Sequence, residues 1–141
     1  MKSGPIIIID NDAEDHDILK EILEDLQIKN EIVWIQKCED ALTYLSDMTN
    51  DPFMIFCDIN LPVLNGINFK RELDKDPELK KRSIPFLFYS TSASQELVND
   101  AYMNMTVQGF FEKGNNYAEM KHTIKIIIDY WRRCRHPRCD Y

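Results

Sequence analysis

The sequence predicts an α/β domain built on a doubly wound, five-stranded parallel sheet with helices on both faces. Short runs that are β-branched or aromatic, and apolar at nearly every position, mark strands buried on both sides. Each run is followed by apolar residues at helical spacing, the alternation that builds a parallel sheet. The 141 residues suffice for one core and fall far short of an eight-unit barrel.

The first run, residues 5–9 (PIIII), holds four consecutive isoleucines. It leads into residues 13–28, where Ile18, Leu19, Ile22, Leu23 and Leu26 share one face and acids occupy the other. Residues 31–36 (EIVWIQ) are the second strand, and residues 39–48 a short helix with Ala41, Leu42, Leu45 and Met48 on one side. Residues 53–57 (FMIFC) are the third strand, stopped by Asp58. After a loop with Pro62 and Gly66, a helix covers residues 67–75 and ends before Pro77, and residues 76–83 are polar and basic. Residues 84–89 (IPFLFY) are the fourth strand. Residues 94–104 are a helix with Leu97, Val98, Ala101 and Tyr102 inward. Residues 107–111 (VQGFF) are the fifth strand, and residues 117–131 a final helix carrying Met120, Ile124, Ile127, Ile128 and Trp131. Residues 1–131 form the domain, and residues 132–141 (RRCRHPRCDY) a basic tail too short to fold alone.

A hydrophobic fraction of 44% with 11% aromatics excludes a disordered chain. No apolar run is long enough to span a membrane, and the start, MKSGPIIII, meets Asp10 too soon for a secretory signal. A cytoplasmic protein is expected. The net charge of −7 argues against nucleic acid as a direct partner. That charge is uneven: residues 1–70 carry −9 and residues 71–141 carry +2. The cysteines, Cys38, Cys57, Cys134 and Cys139, are too scattered for a disulfide scaffold. Cys134, His136 and Cys139 offer three metal ligands without a partner pair, and Cys57 reads as a core residue.

In an open, doubly wound sheet, ligands bind beyond the carboxyl ends of the strands. Here those ends carry Asp10-Asn11-Asp12, Asp58, Ser90-Thr91 and Glu112-Lys113. One rim thus gathers carboxylates, a hydroxyl and an ammonium. Carboxylates packed together repel unless a cation or proton intervenes, and an all-oxygen rim suits a hard cation such as Mg²⁺. Asp12 is placed to cap the following helix, Ser90 sits among turn-forming residues, and Phe110 also fits a plain core position.

These residues resemble the receiver domain of two-component response regulators, the CheY-like family, over about residues 4–131. Asp58-Ile-Asn-Leu-Pro62-Val-Leu-Asn-Gly66 is similar to the family's D-x-x-[ML]-P-x-x-x-G after strand three. The acidic residues after strand one, Ser90 after strand four and Lys113 after strand five complete the pattern in order. The resemblance implies a flavodoxin-like strand order, 2-1-3-4-5. It implies a single-domain response regulator in a phosphorelay, with Asp58 accepting a phosphoryl group from a phosphohistidine donor. Mg²⁺ would be held by Asp58, Asn11 and the Asn60 backbone carbonyl, with Asp10 acting through a bound water. Lys113 and Ser90 would pair with phosphoryl oxygens, and Ser90 with Phe110 would relay the change. The implied readout is the face made by the 94–104 helix, the fifth strand and the final helix. The implied partners are a sensor histidine kinase or histidine phosphotransfer protein, a downstream effector, and a second copy through that same face, with Tyr102 and Trp131 as anchors. No enzyme activity beyond its own phosphorylation and dephosphorylation is implied.

Two positions depart from the family. Asn11 stands where a second acid is usual, keeping an oxygen but losing a charge, so weaker Mg²⁺ binding is expected. Gly114 follows the lysine where proline, typically in a cis bond, is usual. A non-proline cis bond costs about 2.5–4 kcal/mol, so a trans bond and a less fixed Lys113 loop are expected. The competing reading is a receiver-like protein-binding module that is never phosphorylated. A phosphatase using Asp10 and Asp12 as a D-x-D pair would leave the Asp58 motif unexplained.

Overall fold

The computed structural model describes residues 2–47, 49–62, 64–91 and 94–135. The elements run β1 (Ile6–Ile9), α1 (Ala13–Asp25), β2 (Ile32–Ile35), α2 (Cys38–Ser46), β3 (Met54–Cys57), α3 (Gly66–Lys75), α4 (Pro77–Lys81), β4 (Phe86–Ser90), α5 (Gln95–Asn104), β5 (Gly109–Glu112) and α6 (Tyr117–Arg133). The five strands form one sheet in the order β2-β1-β3-β4-β5, every pair parallel.

Because β-strand side chains alternate, each central strand feeds two cores. Ile6, Ile8, Met54, Phe56, Leu87 and Tyr89 face α1 and α6, meeting Leu19, Leu23, Ile124 and Ile128. Ile7, Ile9, Ile55, Cys57, Phe86 and Phe88 face the other layer, meeting Ala41 and Leu45 of α2, Ile67, Phe69 and Leu73 of α3, and Ala101 of α5. β1, β3 and β4 are buried at every position, which is why their sequences are apolar runs rather than alternating ones.

Several boundaries differ from the sequence reading. Helix α1 stops at Asp25, and Gln27 adopts a positive φ of 59° that ends the turn. The polar 76–83 segment contains a short helix, α4, with Asp76 capping through Glu78 N–H and Pro77 in the first turn. Five residues are too few to show a periodicity, and only Leu79 anchors it to the core. Ser90 is the last residue of β4 rather than a loop residue. Tyr102 points outward, 53% exposed, and Ala101 is the buried residue of α5. Helix α6 runs through Arg133, so the first two tail arginines are helical. His136 and Cys139 lie outside the described residues, and Cys134 is a half-buried free thiol. No described helix is long and apolar enough to cross a membrane.

Candidate functional site

The carboxyl ends of β1, β3, β4 and β5 converge on one cluster. Asp10 continues β1 and is held by its own backbone: its N–H donates to the Ile35 carbonyl (3.1 Å) and its carbonyl accepts from the Trp34 indole (2.6 Å). The Trp34 ring is in turn stacked on His16 of α1, centroids 4.2 Å apart. Asp10 Oδ1 accepts the Asp12 N–H at 2.9 Å, so the carboxylate is aimed inward and only 4% of the residue is exposed.

Asp58 follows β3, its N–H bonded to the Ile9 carbonyl (2.9 Å). Its Oδ1 accepts from the Ile59 N–H (2.7 Å), the Asn60 N–H (3.4 Å) and the Ser90 hydroxyl (2.7 Å). Ser90 is fully buried. Its carbonyl accepts the Lys113 N–H at 2.7 Å, which fixes the end of β5 against the end of β4. The Lys113 ammonium then reaches back across the sheet to Asp10 Oδ2 (2.8 Å), Asp15 Oδ2 (2.8 Å) and Asp58 Oδ2 (3.5 Å). The loop after Asp58 returns at once: the Gly66 N–H donates to the Ile59 carbonyl at 2.8 Å.

The charges do not balance within the cluster. Burial alone would lower the Lys113 ammonium, but hydrogen bonds to Asp10 and Asp15 and the charges of Asp10 and Asp58 hold it above the ordinary lysine value. Asp10 is nonetheless pushed up, chiefly by burial, despite its bond to the same lysine. The two directions fit one picture: a single ammonium is well satisfied by three carboxylates, while the carboxylates remain short of positive charge. Ligand oxygens of Asp10, Asp15 and Asp58 all lie within 4.8 Å of one another. An all-oxygen, net-negative set of this kind fits a hard divalent cation.

Of the sequence-predicted residues, Asp10, Asp58, Ser90 and Lys113 are brought together here. Asn11 is exposed beside Asp10, Asn60 is exposed beyond Asp58, and Asp12 caps α1 through the Glu14 and Asp15 N–H groups. Phe110 is half-buried, its ring 5.4 Å from Phe88. No cis peptide bond occurs among the described residues, so Lys113-Gly114 is trans as expected. Lys113 reaches the cluster with Gly114 behind it: its N–H donates to the Ser90 carbonyl and its side chain is 6% exposed. Asp15 is the site residue the sequence reading missed. It occupies the first turn of α1 on the side facing Lys113, among neighbouring acids from which its sequence position does not separate it.

A model of the response regulator receiver domain matches residues 6–125. The chain belongs to the response regulator receiver domain family. Among its relatives, the chemotaxis protein CheY-3 of Vibrio cholerae is 28% identical over 129 residues, covering 91% of this chain and 94% of that protein. Response regulator Rcp1 of Synechocystis sp. is 23% identical, covering 89% of this chain and 87% of Rcp1. A crystal structure of an Mn²⁺-bound response regulator Rcp1 matches with a TM-score of 0.81 at 21% identity, covering 96% of this receiver chain and 99% of that one. A phosphorylated cyanobacterial phytochrome response regulator, RcpA, matches with a TM-score of 0.83 at 24% identity over the same shares. At these identities the structural matches establish the receiver fold.

Proposed function

We propose that this receiver is a phosphoacceptor: Asp58 takes a phosphoryl group from a phosphohistidine donor, and the signal leaves through protein contacts. The observation that carries the reading is the convergence on one buried carboxylate of the Ser90 hydroxyl at 2.7 Å and the Lys113 ammonium at 3.5 Å.

In the transfer, an Asp58 carboxylate oxygen bonds to phosphorus while the bond from phosphorus to the donor imidazole nitrogen breaks. The imidazole leaves with that electron pair, and Asp58 becomes a mixed acyl phosphate. Such a reaction calls for alignment and charge stabilisation more than covalent help. Backbone N–H groups of Ile59 and Asn60 orient Asp58. Ser90 and Lys113 are the donors within reach of new phosphoryl oxygens. Asp10, Asn11, Asp58 and the Asn60 carbonyl would hold Mg²⁺, which when bound offsets the negative charge of acceptor and phosphoryl group. That a response regulator of this fold, Rcp1, is known in an Mn²⁺-bound form supports a divalent ion in this reading.

Partners in this reading are a histidine kinase or phosphotransfer protein as donor and an effector protein as reader. The readout face combines α5, β5 and α6, where Tyr102, Met103, Ile126 and Tyr130 are exposed. A homodimer through that face is a second use of the same surface. Trp131, by contrast, packs into the α1–α6 layer. Ser90 and Phe110 lie between the acceptor and this face and would relay the new charge.

The specific observation favouring a non-phosphorylated binding module is Asn11, which removes one acidic side chain from the rim. The two readings separate on intact mass after incubation with Mg²⁺ and acetyl phosphate. A gain of one phosphoryl group, lost in Asp58→Asn, is expected. No gain from acetyl phosphate or from a phosphorylated kinase would favour the binding module.

A further inference from the structure

We infer that Asp15 is a positioning residue that regulates the phosphoacceptor site by holding the Lys113 ammonium on the α1 side, away from Asp58. The inference rests on the phosphoacceptor reading above and adds a restraint to it. Lys113 Nζ is 2.8 Å from Asp15 Oδ2 and 2.8 Å from Asp10 Oδ2, but 3.5 Å from Asp58 Oδ2. The lysine is therefore bonded to two carboxylates and only near the third.

Among the described residues, Asp15 bonds through its carboxylate to Lys113 alone. It stands at the third position of α1, where an acid in a capping box would reach back to the N–H of the cap residue. That N–H, on Asp12, donates instead to Asp10 Oδ1 at 2.9 Å. The Asp15 side chain is thereby left to Lys113, and 27% of it is exposed against 6% for Lys113 and for Asp10. Asp10 and Asp58, if engaged by a divalent cation, would hold Lys113 less strongly, because their charge would be shared with the ion. Asp15 remains as the competitor of the phosphoryl oxygens for that ammonium. Its own negative charge also opposes an incoming phosphoryl dianion, while attracting the cation. With Asn11 uncharged, Asp15 restores the third negative charge of the rim, but from a helix rather than a strand end.

Two consequences of opposite sign follow from removing that charge without changing its shape. Asp15→Asn weakens Mg²⁺, read by tryptophan emission, by about three- to tenfold, since a unit charge a few ångströms away is lost. At saturating Mg²⁺ the same variant binds beryllofluoride about three- to tenfold more tightly, because Lys113 is released and a like charge is gone. Asp15→Glu keeps the charge and stays close to wild type in both readings. A variant that merely loosens α1 weakens both ligands together. Beryllofluoride binding by Asp15→Asn that is unchanged or weaker at saturating Mg²⁺, in a protein whose wild type binds it, overturns the assignment. A wild type that binds neither Mg²⁺ nor beryllofluoride overturns the phosphoacceptor reading itself and the restraint with it.

Discussion

A Cβ placed on Gly66 would sit 2.2 Å from the Asp58 carbonyl oxygen and 3.0 Å from the Ile59 Cα. The glycine that opens α3 is thus the residue that lets the loop after β3 fold back onto the acceptor. No side chain fits between these two backbones, so the D-x-x-x-P-x-x-x-G spacing reflects a contact and not only a turn. Gly66→Ala should destabilise the fold by about 1–3 kcal/mol, the usual range for overpacking, measured by urea unfolding. Because the clash is with Asp58 itself, the folded fraction should also lose phosphoryl uptake from acetyl phosphate. A variant with wild-type stability and uptake would contradict this account of the loop.

Ser90 should be more costly to function than to folding. Its hydroxyl is fully buried and donates to Asp58 Oδ1, but the Ile59 N–H continues to satisfy that oxygen when the hydroxyl is removed. A hydrogen bond to a charged group contributes about 1.5–3 kcal/mol, so Ser90→Ala should weaken beryllofluoride binding by roughly ten- to hundredfold. Ser90→Thr should retain most of it. Equal binding by the alanine variant, followed by fluorescence or calorimetry, would remove Ser90 from the site.

A second polar cluster, at the opposite end of the sheet, gives the molecule an acid-sensitive clasp. Asp74 Oδ2 accepts the Thr106 N–H at 2.9 Å, and Oδ1 accepts the Thr106 hydroxyl at 2.7 Å and the Lys70 ammonium at 2.9 Å. Burial would raise the Asp74 carboxyl, but the two Thr106 bonds and Lys70 together hold it below the ordinary range. Lys70, whose ammonium lies over the Phe86 ring, is itself lowered, chiefly by burial, because it is the more enclosed partner. The carboxylate therefore binds its proton less readily folded than unfolded. Its contribution is complete at neutral pH and is lost as pH falls below about 4 towards the folded value. Asp74→Asn should lower stability at pH 7 and flatten the acid limb of the unfolding profile. An acid limb identical to wild type would show that the clasp contributes nothing.

The exposed apolar side chains of α5 and α6 are predicted to serve partners rather than the fold. Ile126 is 54% exposed and Tyr102 53%. Ile126→Asp should change unfolding free energy by no more than about 0.5 kcal/mol, as is usual for surface positions. Self-association of the beryllofluoride form, followed by sedimentation velocity, should be lost in that variant if the face pairs two copies. Persistence of the dimer in Ile126→Asp together with Tyr102→Ala would place the contact elsewhere.

The sheet was legible because buried parallel strands leave an unmistakable trace, as the isoleucine run of β1 and the FMIFC run of β3 illustrate. Strand ends pointed to Asp10, Asp58 and Ser90 for the same reason, polar residues immediately after fully apolar runs, and to Lys113 at the end of the half-buried β5, since all four ends share one rim. What escaped was set by three-dimensional facts with weak local signals. Asp15 looked like one more acid on an acidic helix, and only the path of Lys113 across the sheet separates it from Glu14 or Asp17. Tyr102 was assigned inward because its spacing from Val98 is helical, whereas α5 is shallowly seated and buries Ala101 alone. The reach of Lys113 was also hidden, because it depends on a bond between two strand ends, the Lys113 N–H on the Ser90 carbonyl.

The most direct test of the account is the identity of the modified residue. Protein treated with acetyl phosphate and Mg²⁺ is trapped with borohydride, which reduces an acyl phosphate to an alcohol, and then mapped by peptide mass spectrometry. The account predicts conversion of residue 58 to homoserine, at that position alone and dependent on Mg²⁺. Conversion at Asp10 or Asp15 with residue 58 intact, or no conversion at any carboxylate, would contradict it.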